Sequence, residues 1–273
     1  MIWSAHLGTL FADRELSQRV FAARDAGFSH VEMRSPFPHE RRVAEAIQSC
    51  AAQLVCFNLP AGDLEKGDRG FVNQPSRRRD VLNNLNHAVQ FASDVGCAQI
   101  VTLLGRTGQE EAHDENYLLD FVRELAELAE PAGITLLIEN QNAIDTPTYL
   151  HKSAEEAAQF VRNIGARSVR LLLDIYHVAR GGGDPVSAIR TVKDVLGHVQ
   201  IADYPGRGPL GSGTLDVTGV LNELTSVGYD GAVGLEFVPP TANVEDSLVW
   251  LPRELRAAPI QKRSRYDKTY GEA

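Results

Sequence analysis

The chain has 273 residues, of which 43% are hydrophobic and 23% are charged, an ordinary composition for a globular protein. Its formal net charge of −9 disfavours a nucleic-acid-binding surface, and no run approaches the ~18 uninterrupted apolar residues of a transmembrane helix. The first residues, MIWSAHLGTLF, lack the basic and apolar regions of a signal peptide. Three cysteines without a CxxC spacing indicate free thiols in a reducing compartment, so we expect a cytoplasmic protein.

Strand-like apolar runs alternate with helical patterns from one end of the chain to the other. The predicted strands are 2–6, 28–33, 53–57, 98–104, 134–139, 169–174, 196–200 and 231–236. The predicted helices are 14–26, 39–51, 77–95, 114–130, 153–164, 184–195, 217–227 and 245–256. This order predicts parallel strands joined by crossover helices.

Eight such β–α units predict an α/β fold, a single (β/α)8 TIM barrel, over residues 1–258. No linker rich in Pro, Gly or Ser divides the chain. Residues 259–273 are predicted to form a polar, solvated C-terminal extension. The longest irregular stretches follow strands, at the face where α/β barrels carry their active sites.

Four of the predicted strands end on an oxygen-bearing side chain: Glu139, Asp174, Gln200 and Glu236. Side chains alternate along a strand, and the four donors share the same inward parity, so they can meet over the barrel axis. Each acid taken singly could instead cap its strand or pair with an arginine. Together the four predict a site for one divalent cation, Mg²⁺ or Mn²⁺, because a zinc site more often carries His or Cys.

A cation that chelates a carbonyl and the adjacent hydroxyl acidifies the C–H between them and stabilises an enediolate. A flanking glutamate with a pKa near the working pH then moves the proton. His177 lies just past its strand, within reach of a substrate, whereas His198 lies deeper and is predicted to be structural. The loops also hold three arginines, any of which could bind an anionic substrate bidentately: Arg69, Arg106 and Arg207.

Several segments carry a family resemblance: NLPAGD (58–63) with a following DRG, LLIEN (136–140) with Asp145 downstream, LDIYH (173–177), GHVQIAD (197–203) with a following GRG, and GYDGAVGLEF (228–237). They resemble the hydroxypyruvate isomerase family. This is a branch of the xylose-isomerase-like TIM barrels that also contains 2-oxo-tetronate isomerases, tagatose and psicose 3-epimerases and endonuclease IV. GHVQIAD and NLPAGD are fairly specific to this branch, whereas the barrel pattern alone is not.

The resemblance implies four metal ligands: Glu139, Asp174, Gln200 and Glu236. It implies that Glu139 and Glu236 form the catalytic pair. The predicted substrate contacts are His177, Asp145, Arg207, Arg106 and Asn58. The related 3-epimerases carry histidine at the position of Gln200, so the glutamine is typical of the hydroxypyruvate and oxo-tetronate side.

Two positions depart from the family pattern. Phe57 stands where hydroxypyruvate isomerases often carry histidine and oxo-tetronate isomerases carry phenylalanine, and Val238 stands where the family carries lysine. Both positions are expected at or near the barrel mouth, so they bear on substrate identity more than on reaction type.

The sequence therefore predicts a metal-assisted aldose–ketose isomerase of a small sugar or sugar acid, with hydroxypyruvate and tartronate semialdehyde as the named case. A 2-oxo-tetronate isomerase or a ketose 3-epimerase would use the same site. Two further alternatives are a non-catalytic binding subunit and an endonuclease IV-like phosphodiesterase, although the latter needs more strand-end histidines. We expect a small-molecule substrate, no nucleic acid and no membrane; relatives form dimers or tetramers, so a homo-oligomer is an expectation of the resemblance.

Overall fold

Parallel strands close into a barrel in sequence order in the computed structural model, which describes residues 1–108 and 114–260. The strands of this described part are β1 (Ile2–His6), β2 (His30–Met33), β3 (Gln53–Asn58), β4 (Gln99–Val101), β5 (Thr135–Glu139), β6 (Val169–Asp174), β7 (Leu196–Ile201) and β8 (Ala232–Leu235). β8 pairs with β1 and so closes the barrel. The predicted (β/α)8 TIM barrel is confirmed.

Helices cross over between the strands and cover the outside of the barrel. Those within the described residues are α1 (Leu16–Asp25), α2 (Glu40–Ser49), α3 (Arg78–Val95), α4 (Glu115–Ala129), α5 (Ala154–Ile164), α6 (Ile175–Arg180), α7 (Pro185–Val192) and α8 (Val217–Ser226). Over the same residues, none of them combines the length and the apolar character that a membrane span requires.

Two expectations about helices are corrected by the structure. The continuous helix predicted over 245–256 is wrong, because this segment forms two short 3₁₀ turns, Val244–Ser247 and Arg253–Leu255. Pro252 explains the break, since proline lacks the N–H that a helix interior needs and disfavours helical backbone at the residue before it. Conversely, α6 has no counterpart among the predicted helices.

Alternate residues of the strands face opposite sides of the barrel wall. Leu136 and Ile138 of β5 belong to the large apolar cluster that contains the helix residues, whereas Leu137 joins Leu172 of β6 in a small separate cluster. Two residues further along the chain, Glu139 and Asp174 continue this second, inward-facing set. The predicted parity is confirmed for these strands, and it directs both carboxylates to the mouth at the carboxyl ends.

The segment after β8 returns to the amino-terminal end of β1. Pro259 forms an antiparallel bridge with Ile2, and the N–H of Ile260 donates to the carbonyl oxygen of Met1 over 2.9 Å. The first two residues of the predicted C-terminal extension therefore contact the barrel. Residues 261–273, the remainder of that extension, lie outside the described residues.

Buried Arg256 fastens this closing segment. Its guanidinium donates to the carbonyl oxygens of Ala26 and Leu251, and it pairs with Glu245 at 2.8 Å. These hydrogen bonds act together with apolar packing, which includes an edge-on contact between Trp250 and Trp3 of β1, to hold the segment against the barrel.

Candidate active site

Four oxygen-bearing side chains converge at the carboxyl ends of β5 to β8. Glu139 and Asp174 are the last residues of β5 and β6, Gln200 is the next-to-last residue of β7, and Glu236 follows β8 directly. In the strand ladders Asp174 lies opposite Gln200, and Gln200 lies opposite Gly234. All four donor side chains are buried. The structure therefore brings the predicted quartet together at one mouth of the barrel.

The two oxygens of the Asp174 carboxylate have different partners. Its Oδ1 accepts the backbone N–H groups of Tyr176 (2.8 Å) and His177 (3.3 Å), which caps the start of α6. Its Oδ2 lies 3.2 Å from the guanidinium of Arg207. The side chain of Asn140 accepts from the backbone N–H of Asp174 and donates to its carbonyl oxygen. The carboxylate is thus held in place with one oxygen left for the site.

Arg207 brings a positive charge between two of the carboxylates. Its Nη2 lies 3.2 Å from Asp174 Oδ2 and 3.0 Å from Glu236 Oε2. The guanidinium also lies 5.0 Å from the ring centroid of Tyr176, a cation–π contact. The backbone at Arg207 is left-handed, with φ of 51°, a strained conformation for a residue other than glycine.

His177 stands beside Glu139 and Asp174 as a neutral ring. Its Nε2 lies 3.5 Å from Asp174 Oδ2 and 4.0 Å from Glu139 Oε1, and its Nδ1 hydrogen-bonds the side chain of Asn142. Burial, reinforced by Arg207, lowers the pKa of His177 to about 3. At neutral pH the imidazole is therefore uncharged and available as a hydrogen-bond partner.

The two predicted catalytic glutamates differ in electrostatic environment. Burial raises the pKa of Glu139 well above its ordinary value, and the negative charges of Glu236 and Asp174 add to the shift. Burial also acts to raise the pKa of Glu236, but Arg207 and His6 outweigh it and bring this pKa down to about 2. Burial raises the pKa of Asp174 to about 7 against the effect of Arg207. Glu139 therefore tends to hold a proton and Glu236 to release one.

Glu32 of β2 is a buried acid that the predicted site does not include. Its Oε1 accepts from Gln200 Nε2 and its Oε2 from His198 Nε2, both at 2.8 Å. His198 lies buried inside the barrel, in keeping with the structural role predicted for it. Glycine at 234 leaves room for Glu32, since a Cβ there would lie 2.2 Å from Glu32 Oε1. The sequence signal for Glu32 is weak: a lone charge inside the run FSHVEM.

A cavity of about 230 Å³ opens at the quartet. Predicted residues that line it are Glu139, Gln200, Glu236, Asn58, His177, Arg207 and Arg69. Two more lining residues, His6 and Arg34, do not belong to the predicted site. His6 is the last residue of β1 and Arg34 is the first residue after β2, so the strand-end rule applied to every strand would have found both.

Two predicted substrate contacts, Asp145 and Arg106, do not line this cavity among the residues that the structure describes. Asp145 accepts from the Tyr176 hydroxyl at 3.0 Å and pairs with Arg180 at 3.1 Å, so it ties its loop to α6. Arg106 pairs with Asp68 at 3.4 Å and so braces one loop against another.

The two departures from the family pattern lie in different surroundings. Phe57 is fully buried and packs edge-on against Phe91 of α3, with ring centroids 5.1 Å apart. Position 57 is one residue before the end of β3, near the barrel mouth as expected, but its side chain faces the helices. Val238 is 55% exposed, and its N–H donates to the carbonyl oxygen of Arg207 over 2.7 Å. Both positions therefore adjoin the cavity lining, Phe57 through its chain neighbour Asn58 and Val238 through its hydrogen bond to Arg207.

The donor set fits a hard divalent cation. Glu139, Asp174 and His177 each offer a ligand atom, and these atoms lie within 4.8 Å of one another. The carboxylate of Glu236 lies close to that of Asp174, because Nη2 of Arg207 contacts both. The amide nitrogen of Gln200 is already hydrogen-bonded, which leaves its oxygen for the site. Buried carboxylates this close repel one another, and a divalent cation with oxygen ligands would offset that repulsion.

Comparison with known proteins assigns the chain to a family. The model of the family described as "Xylose isomerase-like TIM barrel" matches residues 20–254. The chain belongs to this family. Within it, a Streptomyces coelicolor protein that carries the name hydroxypyruvate isomerase provisionally is 34% identical, over 94% of this chain and 97% of the relative. The chain is thus a member of the hydroxypyruvate isomerase branch of the xylose isomerase-like barrels.

Other members of the branch are named for isomerase activity. The hydroxypyruvate isomerase of Escherichia coli K12 is 29% identical over 91% of this chain and 97% of the relative. A 2-oxo-tetronate isomerase of Pectobacterium atrosepticum is 28% identical over 91% of this chain and 95% of the relative. The named sequence relatives therefore place the chain among isomerases.

A solved structure gives a match of the fold as well. A crystal structure titled AP endonuclease, family 2, from Brucella melitensis superposes with a TM-score of 0.85 at 30% identity, over 92% of this chain and 98% of that one.

Proposed function

We propose that this protein is a metal-dependent isomerase of a small sugar acid, of the type that interconverts hydroxypyruvate and tartronate semialdehyde. One observation carries the proposal: Glu139, Gln200 and Glu236 line a cavity that is also lined by Arg34, Arg69 and Arg207. The fourth oxygen donor, Asp174, does not line the cavity but lies 3.2 Å from Arg207. The oxygen donors suit a divalent cation, and the arginines suit a carboxylate. A sugar acid presents both a carboxylate and the adjacent oxygens that a cation chelates.

Arg69 and Arg34 supply positive charge for the substrate carboxylate. The Nη1 of half-buried Arg69 is held by two backbone carbonyl oxygens. Burial lowers the pKa of Arg69, and nearby Arg34 and Arg106 act in the same direction, against the opposing effect of Glu139. An anion bound here would relieve this repulsion, so an acidic substrate is favoured over a neutral ketose.

Proton transfer falls to the two glutamates. A divalent cation held by the quartet would supply the Lewis acidity that weakens the C–H bond between the substrate carbonyl and hydroxyl. Glu236, which Arg207 and His6 hold ionised, takes that proton, the hydroxyl proton passes to the carbonyl oxygen, and Glu236 or Glu139 returns a proton to the neighbouring carbon. His177, neutral and buried, hydrogen-bonds a substrate oxygen. Substrate and product contain the same atoms, so no external oxidant or reductant is required.

A substrate panel tests the reaction type. The purified protein is stripped of metal, supplied with Mg²⁺ or Mn²⁺, and incubated with hydroxypyruvate, a 2-oxo-tetronate or a neutral ketose, and products are identified by NMR. We expect metal-dependent conversion of a sugar acid to the isomer in which the carbonyl has moved to the neighbouring carbon. Turnover of only the neutral ketose, or full activity after chelation, would contradict the proposal.

Solvent deuterium incorporation tests the glutamates. Glu236→Gln and Glu139→Gln should each lower deuterium exchange into substrate by about 10²–10⁴-fold, the usual contribution of an acid–base group. Glu65→Gln is the matched control, because Glu65 lines the same cavity but lies outside the quartet. Exchange retained in a folded Glu236→Gln variant would refute its role.

The substrate carboxylate is tested by a pair of arginine variants. Arg69→Leu should raise the KM for the acidic substrate about 10–100-fold, as expected for loss of a charged hydrogen-bond partner. Arg106→Leu, on the same rim but paired with Asp68, should change the KM little. The reverse result would restore Arg106 as the substrate contact and remove Arg69.

A further inference from the structure

We infer that Glu32 is a positioning residue: it orients the Gln200 amide so that its oxygen, and not its nitrogen, faces the cation. This inference rests on the metal site proposed above. Glu32 lies on β2, far along the chain from the quartet, and is completely buried. Its contact with the quartet is the hydrogen bond from Gln200.

The orientation follows from what each group can donate. A carboxylate accepts hydrogen bonds and has none to give. The two partners of Glu32, Gln200 Nε2 and His198 Nε2, each at 2.8 Å, must therefore both be donors. For Gln200 this directs the NH₂ group toward Glu32 and the carbonyl oxygen away from it. A side-chain amide has two ends of similar size, so without such a partner either end could face the cavity.

Gln200 is the member of the quartet for which orientation decides whether it can bind a cation at all. Either oxygen of a carboxylate can serve as a ligand, whereas an amide offers a hard cation its oxygen and not its NH₂ group. A partner behind the ligand is the usual means by which proteins fix ligand orientation. Glu32 supplies that partner for Gln200.

The neighbouring strand makes space for this arrangement. Gly234 of β8 lies directly opposite Gln200 in the ladder. A Cβ at 234 would lie 2.2 and 2.4 Å from the two carboxylate oxygens of Glu32. Glycine at this position thus allows the carboxylate to lie beneath Gln200.

The same cluster does not serve as a second metal site. Glu32, Cys56 and His198 have potential ligand atoms within 4.8 Å of one another. However, His198 Nε2 donates its proton to Glu32, so this nitrogen is not free to bind a metal, and the other carboxylate oxygen is taken by Gln200. Hydrogen bonding therefore accounts for the cluster.

Glu32→Gln is the sharpest test because it changes one donor–acceptor role and almost no volume. The new amide would accept from His198 with its oxygen and present its NH₂ group to Gln200. With the proton of His198 on Nε2, as in the wild type, Gln200 then turns its oxygen toward position 32 and its nitrogen toward the cation. We expect Mn²⁺ binding, measured by titration calorimetry, to weaken about 10–100-fold, the usual effect of losing a partner behind a metal ligand.

A double variant should reverse the defect. In Glu32→Gln/Gln200→Glu, the carboxylate at position 200 accepts from the amide at position 32 with one oxygen and offers the other to the cation, and the total charge is unchanged. We expect most of the lost Mn²⁺ affinity to return. Cys56→Ala is the matched control, because it alters a neighbour of Glu32 without changing the donors available to Gln200, and its affinity should equal that of the wild type.

A second measurement needs neither metal nor a folded Glu32 variant. With ¹⁵N-labelled glutamine, the side-chain NH₂ signals of Gln200 are identified by their loss in Gln200→Glu, and we expect slow solvent exchange in the wild type. A rapidly exchanging Gln200 amide, equal Mn²⁺ affinity in folded Glu32→Gln, or no recovery in the double variant would overturn the inference. A protected amide in a wild-type protein that binds no Mn²⁺ would overturn the proposed metal site while supporting the orientation by Glu32.

Discussion

Gly234→Ala should be strongly destabilising although it adds a single methyl group. The new Cβ would lie 2.2, 2.4 and 2.5 Å from Oε1, Oε2 and Cδ of Glu32, well inside a normal contact of about 3.5 Å. Glu32 cannot swing away at little cost, because it is completely buried and accepts hydrogen bonds from His198 and Gln200. Either β8 moves or those hydrogen bonds break.

The structure sets the scale of the effect. Overpacking a dense interior costs about 1–3 kcal/mol, and each lost hydrogen bond to a charged group costs about 1.5–3 kcal/mol. Because moving Glu32 partly relieves the clash, these contributions do not simply add. We expect the free energy of unfolding to fall by about 3–5 kcal/mol, and Tm to fall by roughly 10 °C.

Urea denaturation followed by circular dichroism measures this loss. Gly206→Ala is the control, since a Cβ at 206 meets nothing within 4 Å, and its effect should stay within about 1 kcal/mol. The assignment to Glu32 is tested by repeating Gly234→Ala in a Glu32→Ala background, where the penalty should shrink. An equal penalty in both backgrounds would refute the reasoning.

Three further predictions concern other parts of the molecule. Hydrogen bonds from three neighbouring side chains hold the pKa of Asp145 below its ordinary value, although burial acts to raise it. The stabilisation that the Asp145 carboxylate gives the folded protein is therefore present above the unfolded pKa of about 3.9. It is lost as pH falls through the lower folded pKa. Asp145→Asn should lower Tm at pH 7, and a difference from wild type that persists at the acid end of a Tm–pH series would contradict this. Arg256→Gln should reduce the free energy of unfolding in urea by about 2–4 kcal/mol, because it leaves the carbonyl oxygens of Ala26 and Leu251 without their buried donor; an unchanged midpoint would show that the closing segment is held otherwise. Mn²⁺ at about a hundred times the wild-type Kd should add about 2.7 kcal/mol to the stability of the wild type in a thermal scan. An equal gain in Glu139→Gln at the same Mn²⁺ concentration would exclude Glu139 as a ligand.

The quartet could be predicted from the sequence because strand parity is a local property. Each of its four strands is an apolar run that ends within one residue of an oxygen donor, and parallel strands bring such ends to one rim. The same rule, had it been applied to β1 and β2, would have included His6 and Arg34. Those two strands end on a histidine and beside an arginine, which a search for oxygen ligands passes over.

Other features depend on contacts that no local pattern records. The partnership of Glu32 with Gln200 spans 168 positions of the sequence, so the lone acid in β2 carries no sign of its partner. Asp145 and Arg106 follow strands as the true lining residues do, yet each pairs with an opposite charge on a neighbouring segment. The helix predicted over 245–256 could have been excluded, because Pro252 is visible in the sequence and interrupts it.

The capping of α6 by Asp174 has a consequence for how this centre can evolve. One oxygen of that carboxylate is committed to two backbone amides, so replacing Asp174 disturbs the chain path as well as the chemistry. Gln200 is restrained by another side chain, that of Glu32. A laboratory selection for altered cation preference should therefore accumulate substitutions at 200 and 32, and leave 174 untouched.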